Sequence, residues 1–274
     1  MTDRYAVIGR PIGHSKSPLI HSRFAQDCGQ QLDYTAIEGT LEGFEAQVQD
    51  FRAAGGRGLN VTAPFKLRAF ELAQDRSERA TLAGAANALK FEGGRILAEN
   101  FDGIGLRRDI EVNLGLPMAG RRVLMLGAGG AARGALLPFL DARPSELLLV
   151  NRDLAKAQAL VEQVAQRGAV RAVAYADLPA FGDFDLVVNA TSASLSGERP
   201  PIPASVFRPS GAAYELVYGK GLTPFLLQAH SAGVTRVADG VGMLVEQAAE
   251  AFAWWRGVRP DTAALIRMLT VPPL

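Results

Sequence analysis

Polar side chains that packing alone would not select gather in four short stretches of this chain. Ser15 and Ser17 stand in His14-Ser15-Lys16-Ser17-Pro18, and Asn60, Thr62 and Lys66 in Asn60-Val61-Thr62-Ala63-Pro64-Phe65-Lys66. Asn87 closes Gly84-Ala85-Ala86-Asn87, and Asp102 sits in Asn100-Phe101-Asp102-Gly103. Most follow or end a run that reads as a strand, which is where open α/β sheets hold their ligands. Hydroxyls, amides, one ammonium and one carboxylate suit a polyhydroxylated carboxylic acid. Each residue also has an ordinary alternative. Ser17 can cap the following helix, and Asp102 can form a turn with Gly103.

A second constellation concerns phosphate. The apolar run Arg122–Leu126 leads into Gly127-Ala128-Gly129-Gly130-Ala131-Ala132, and a helical pattern follows through Leu136 and Leu140. This fits G-x-G-x-x-G/A between a strand and a helix. The first glycine makes the tight turn, the second lets backbone approach a pyrophosphate, and the small third residue packs helix on strand. The free N–H groups and dipole of the helix N-terminus then favour the anion. The next strand, Leu147–Val150, ends in Asn151-Arg152 where an NAD-binding fold carries an acidic residue. A cation there suits the 2′-phosphate of NADP, and Lys156 lies one helical turn further on. Asp153 stands where the helix 154–166 needs its N-cap.

The elements that must position these groups alternate. Strands are expected at 4–9, 33–38 and 58–61, with helices at 18–28, 41–54 and 66–74 between and after them. The first helix places Leu19, Ile20 and Phe24 on its inner side. Strand alternating with helix implies parallel βαβ units. The stretch 88–100 departs from this, since two apolar runs flank Glu92-Gly93-Gly94-Arg95, a hairpin signal. A helix at 104–114 leads into Gly115, Pro117 and Gly120, where a domain connection is expected. Further strands follow at 122–126, 146–150, 170–174, 185–189 and 212–216, and a last long helix at 243–255.

With 274 residues the chain suits two small domains. Its 29 basic and 28 acidic residues nearly cancel, which leaves no electrostatic footprint for nucleic acid or an anionic membrane. Cys28 is the only cysteine, so neither an internal disulfide nor a thiolate zinc cluster can form. The N-terminal residues do not read as a signal peptide, and no apolar run is long enough to span a bilayer. A cytoplasmic protein is expected.

Taken in order, these motifs resemble the shikimate dehydrogenase family over nearly the whole chain. Further markers are Asn189-Ala190-Thr191-Ser192, Val217-Tyr218, Thr223-Pro224 and Gly242-Met243-Leu244-Val245-x-Gln247-Ala248. The resemblance implies an α/β fold of two domains. A substrate domain with a mostly parallel sheet would comprise 1–103 and 241–274, and a Rossmann-type dinucleotide domain, 104–240, would be inserted in it. Ser15, Ser17, Asn60, Thr62, Lys66, Asn87, Asp102, Tyr218 and Gln247 would contact shikimate, with Lys66 and Asp102 as the catalytic pair. NADP would be held by Gly127, Ala128, Gly129, Gly130, Ala131, Asn151, Arg152, Lys156, Thr191, Val217 and Gly240. The protein would be a monomer or homodimer, without a metal.

The chain departs from the family at several positions. Family members usually read Asn-Thr-Asp where it has Asn100-Phe101-Asp102, and Val-Asn-Thr where it has Ala86-Asn87-Ala88. Glu215 replaces the usual Asp, and Asp153 stands where NADP-specific members often have Thr. Hydride transfer from NADPH to 3-dehydroshikimate, with Lys66 protonating the alkoxide, is the expected chemistry. A broader quinate/shikimate dehydrogenase using NAD is the alternative. A sensor without turnover would be expected to lose Lys66 or Asp102. A Rossmann-like methyltransferase would need an acidic residue ending the second strand.

Overall fold

The computed structural model describes residues 2–219 and 221–271. The chain forms two compact units, one from Met1–Gly105 and Val245–Leu265, the other from Leu106–Leu244 and Ile266–Leu274. The first begins with β1 (Asp3–Gly9), α1 (Ser17–Asp27), β2 (Leu32–Glu38), α2 (Phe44–Ala53), β3 (Gly56–Val61) and α3 (Lys66–Leu72). It continues through β4 (Asp75–Arg76), α4 (Glu78–Ala83), β5 (Ala88–Glu92), β6 (Arg95–Glu99) and α5 (Asp102–Arg108). The six strands form one sheet in the order β2-β1-β3-β5-β6-β4. β1 pairs parallel with β2 and β3, and β4 with β6, whereas the β5–β6 hairpin runs antiparallel and joins β3 antiparallel.

Alternation along β1 shows how this sheet is buried on both faces. Ala6 and Ile8 join Phe44, Val48, Leu59 and Phe65 on one side. Tyr5 and Val7 join Tyr34, Ala88, Phe101 and Trp255 on the other. Burying each such aromatic or branched side chain contributes roughly 1.5–3 kcal/mol. Within α1 the expected inner residue Leu19 is instead 49% exposed, while Ile20 and Phe24 are buried. His21 takes the adjacent buried place, stacked on Tyr34 with ring centroids 4.2 Å apart. An apolar residue thus yields the inner face to an imidazole because the ring completes an aromatic stack.

The second unit repeats strand and helix with β7 (Arg122–Leu126), α6 (Gly130–Asp141), β8 (Glu146–Val150), α7 (Leu154–Val164) and β9 (Val170–Val173). Then come β10 (Phe184–Asn189), β11 (Phe207–Glu215), α8 (Pro224–Ser231) and β12 (Arg236–Ala238). All pairs in its sheet, ordered β12-β11-β10-β7-β8-β9, are parallel. Val123–Leu126 and Leu147–Val150 are buried without interruption, as interior parallel strands must be. Order reverses between β7 and β10, the switch point at which a dinucleotide lies across such a sheet. The chain ends with α9 (Val241–Arg256) and α10 (Ala263–Leu269).

Three features differ from the sequence expectation. The helix expected at 104–114 is α-helical only to Arg108 and then widens to a π-helix over Asp109–Asn113. Asp109 is buried there and accepts from the Tyr214 hydroxyl at 2.6 Å and the Asn113 amide at 2.9 Å. β4, α4, β12 and α10 are additional elements, all too short to show a clear period. The strand expected at 212–216 begins at Phe207, because Phe207 pairs with Phe184 before the register shifts.

Candidate active site

Lys66 is the first residue of α3, just past the end of β3, and Asp102 the first of α5. Lys66 Nζ donates to Asp102 Oδ2 at 2.7 Å, and the two side chains remain 32% and 12% exposed. The carboxylate therefore holds the ammonium while leaving it accessible. A proton on Lys66 can reach a group beside it, and its charge can meet a developing oxyanion.

Asn87 and Asn100 set the carboxylate. The Asp102 N–H donates to Asn100 Oδ1 at 3.1 Å, and Asn100 Nδ2 donates to the Ala85 carbonyl at 3.0 Å. Asn87 Nδ2 donates to Asp102 Oδ1 at 2.8 Å and to Gln247 Oε1 at 3.1 Å, while Asn87 Oδ1 accepts from the Phe101 N–H at 2.9 Å. Both amide hydrogens of Asn87 are thus occupied, which leaves only a carbonyl lone pair for a ligand. Below this loop, Glu99 accepts from Arg79 at 2.6 Å, Ser77 at 2.6 Å and the Asn100 N–H at 2.7 Å. Phe101 lies away from the pair, edge-on to Trp254 at 5.7 Å in the same apolar cluster as Ala88. Phe101 and Ala88, two of the residues that depart from the family pattern, therefore sit together in the core.

The remaining first-unit residues converge on this edge. Gln247, on α9, arrives because Gly105 has no side chain, since a Cβ there would lie 2.6 Å from the Gln247 N. Asn60 Oδ1 accepts from the Tyr34 hydroxyl at 2.6 Å, and Asn60 Nδ2 donates to the Asn87 carbonyl at 3.4 Å. Ser17 does not cap α1. The N-cap is Lys16 without a side-chain bond, and the Ser17 N–H donates to Ser15 Oγ at 3.3 Å. Thr62 is half-buried, its N–H bonded to the Ile8 carbonyl. Burial raises the Tyr34 phenol well above its ordinary value, with Ser17 opposing. The buried imidazole of His21 is pushed down to about 3, desolvation outweighing the Asn60 amide beside it, and neither ring nitrogen is hydrogen-bonded. Tyr218 belongs to the second unit and is 41% exposed.

In the second unit the glycine-rich turn runs from β7 into α6. Gly127 has φ +108°, and a Cβ on it would lie 3.0 Å from the Ala190 carbonyl, so only glycine fits. Gly129 is the N-cap of α6 and supplies no side-chain acceptor, and the space over Gly129 and Gly130 is open. In contrast, Ser77, Asp153 and Thr223 cap α4, α7 and α8. The first amides of α6 are therefore available to an anion.

After β8, Asn151 Nδ2 donates to the Asp153 carbonyl at 2.9 Å. Asp153 caps α7 through the Lys156 N–H at 3.4 Å and also pairs with Lys156 Nζ at 3.6 Å. Arg152 is exposed and makes no side-chain hydrogen bond or ion pair among the described residues. Thr191 is held by Asn189, and the Gly240 N–H donates to the Val217 carbonyl at 3.5 Å. Sequence reading found no sign of the roles of Tyr34 and Glu99, and it marked Asn100 and Asn189 only as motif residues and Glu215 only as a departure from the family. Their common signal is a polar residue inside or ending an apolar strand. Among the described residues no group of three His, Cys, Asp or Glu side chains could hold a metal ion, and no helix is long and apolar enough to cross a membrane.

Residues 7–89 match the family described as the shikimate dehydrogenase substrate binding domain, 111–196 shikimate / quinate 5-dehydrogenase, and 240–267 the shikimate 5'-dehydrogenase C-terminal domain. A relative from Nitrosospira multiformis named shikimate dehydrogenase (NADP(+)) is 53% identical over 98% of both chains. The crystal structure of an Ael1 enzyme from Pseudomonas putida is 67% identical, covers 100% of both chains and superposes with a TM-score of 0.97. The shikimate 5-dehydrogenase of Thermus thermophilus, solved with NADP(H) and shikimate, is 32% identical over 97% of this chain and 98% of its own, with a TM-score of 0.85. Ordered motifs, a two-unit α/β architecture and full-length identity above half thus lead to one conclusion: the chain belongs to the shikimate dehydrogenase family.

Proposed function

We propose that the protein reduces 3-dehydroshikimate to shikimate with NADPH. The observation that carries this reading is the Lys66–Asp102 pair at 2.7 Å, partly open to solvent and held by the amides of Asn87 and Asn100. Lys66 donates its proton to the substrate oxygen as negative charge develops there, and its ammonium stabilises that charge. Asp102 orients Lys66, and Asn87 orients Asp102 while its second carbonyl lone pair stays available to the substrate. Ser15, Ser17, Asn60, Thr62, Tyr218 and Gln247 receive the substrate's carboxylate and hydroxyls.

NADP binding is assigned to the unit of Leu106–Leu244, and binding of shikimate chiefly to that of Met1–Gly105 and Val245–Leu265. The uncapped α6 N-terminus fits a pyrophosphate over Gly127, Ala128, Gly129, Gly130 and Ala131. Arg152, exposed and with no side-chain hydrogen bond or ion pair among the described residues, fits the 2′-phosphate. Asn151 shapes its loop, Lys156 adds charge already shared with Asp153, and Thr191, Val217 and Gly240 hold the other half of the cofactor. When bound, NADPH supplies the hydride. A cytoplasmic monomer or homodimer fits the single cysteine and balanced charge.

The test measures NADPH formation from shikimate and NADP+ beside NADH formation from quinate and NAD+. Closely fitted polar groups leave little room for the extra hydroxyl of quinate, so kcat/KM should favour shikimate by at least about 10². Comparable turnover of both pairs would make the protein a quinate/shikimate dehydrogenase of broad specificity.

A further inference from the structure

Glu215 ends β11 with no exposed surface, yet it is a carboxylate. Burial pushes its carboxyl up, opposed by four donors. Leaving such a group in a core is costly unless hydrogen bonds replace water. Oε2 accepts from Asn189 Nδ2 at 2.9 Å, from the Ser194 hydroxyl and from the Thr223 hydroxyl at 3.1 Å. Oε1 accepts from the Val217 N–H at 3.2 Å. These donors come from the end of β10, the loop after it, the turn after β11 and the N-cap of α8. One side chain therefore ties together every segment that leaves the carboxyl edge of β10 and β11.

The consequence reaches the residues that would meet a ligand. Because Asn189 gives its Nδ2 to Glu215, its Oδ1 turns to the following loop, where it accepts from the Thr191 N–H at 3.1 Å and hydroxyl at 2.7 Å. Because Val217 gives its N–H to Glu215, the turn after β11 leaves the Val217 carbonyl facing the Gly240 N–H. None of Glu215's hydrogen-bond partners lies in β7, α6, β8 or α7. In a sheet with its switch point between β7 and β10, one half of a dinucleotide lies over β7 and β8 and the other over β10 and β11.

We propose that Glu215 is the positioning residue for the nicotinamide half of the NADP site, acting through Asn189 on Thr191 and directly on Val217. This rests on the dinucleotide reading given above. Glu215→Gln keeps the shape but must aim an NH2 at donors that need an acceptor.

The experiment titrates the full-length protein with NADPH and with adenosine 2′,5′-bisphosphate, which carries only the adenosine half. In Glu215→Gln the Kd for NADPH should rise about tenfold, and that for the bisphosphate should stay within about twofold. Thr191→Val, which leaves Glu215 in place and removes the hydroxyl that donates to Asn189 and accepts from the Ala193 N–H, should raise the NADPH Kd about threefold with the bisphosphate again unchanged. An unaltered NADPH Kd in both variants overturns the proposal. So does equal weakening of both ligands in both variants, which would mean general damage to the unit. A wild-type protein that binds neither ligand overturns the dinucleotide reading itself, and the proposal with it.

Discussion

At the scale of the residue, the proton-moving groups are defined by who holds them. Lys66→Ala removes the ammonium that donates to Asp102, and kcat should fall by roughly 10²–10⁴ with a far smaller change in KM. Asp102→Asn should be similarly damaging, and the double variant should lose less than the sum. Asn87→Ala removes one hydrogen bond from Asp102 and one from Gln247 without touching Lys66, so its kcat loss should be smaller, roughly tenfold. Steady-state kinetics decides the order, and a Lys66→Ala enzyme with near wild-type kcat would remove the assigned proton donor. On the cofactor side Arg152 has no side-chain hydrogen bond or ion pair among the described residues, while Lys156 already faces Asp153. Arg152→Ala should raise the KM for NADP+ by about tenfold or more and leave NAD+ nearly unchanged. Lys156→Ala should do much less. Equal loss of both cofactors in Arg152→Ala would mean that the guanidinium does not read the phosphate.

At the scale of the element, helices are placed by what they lack. α5 can approach α9 because Gly105 is bare where Gln247 passes. Alanine there would favour an isolated helix by about 1 kcal/mol over glycine. A Cβ 2.6 Å from the Gln247 N and 2.7 Å from its Cβ, however, must displace backbone, an overpacking cost of typically 1–3 kcal/mol. The clash wins, so Gly105→Ala should lower Tm and also raise the KM for shikimate, since Gln247 moves away from Asn87. A thermal melt at or above wild type would show that α9 yields without strain. α6 likewise starts without a side-chain cap, unlike α4, α7 and α8, which leaves its amides for a ligand.

At the scale of the whole molecule, acid stability carries the mark of one buried ring. The folded pKa of His21, about 3, lies below its ordinary 6.5. Below pH 6.5 the unfolded chain therefore takes up a proton that the folded chain refuses. Stability falls as pH drops from 6.5 towards 3, by up to about 1.4 kcal/mol per pH unit from this group, and is unaffected by it above 6.5. His21→Phe keeps a ring among Phe24, Tyr34, Phe252 and Trp255. Urea unfolding between pH 7 and 4.5 should show the variant losing less stability than wild type. Parallel curves would mean that the imidazole becomes charged inside the fold.

What the sequence determined by itself is local. The strand, glycine turn and helix at 122–140, the Asp153 cap and the β5–β6 hairpin are legible because sterics, positive φ and helix-end amides act over a few residues. The family markers likewise named Lys66 and Asp102 from their own short motifs. Only the tertiary structure decided which polar groups remain free. Asn87 has both amide hydrogens taken, by Asp102 and a glutamine 160 positions away, and keeps one carbonyl lone pair. Lys156 is shared with Asp153, while Arg152 is open. Asn60 is fixed by Tyr34, and Glu215 gathers donors from the end of β10 and from the two connections that follow β10 and β11. The physical reason is that each polar group has few donors and acceptors, and long-range folding determines which of them are used. Motif spacing specifies the residue types at a site, and packing determines the capacity each retains for a ligand.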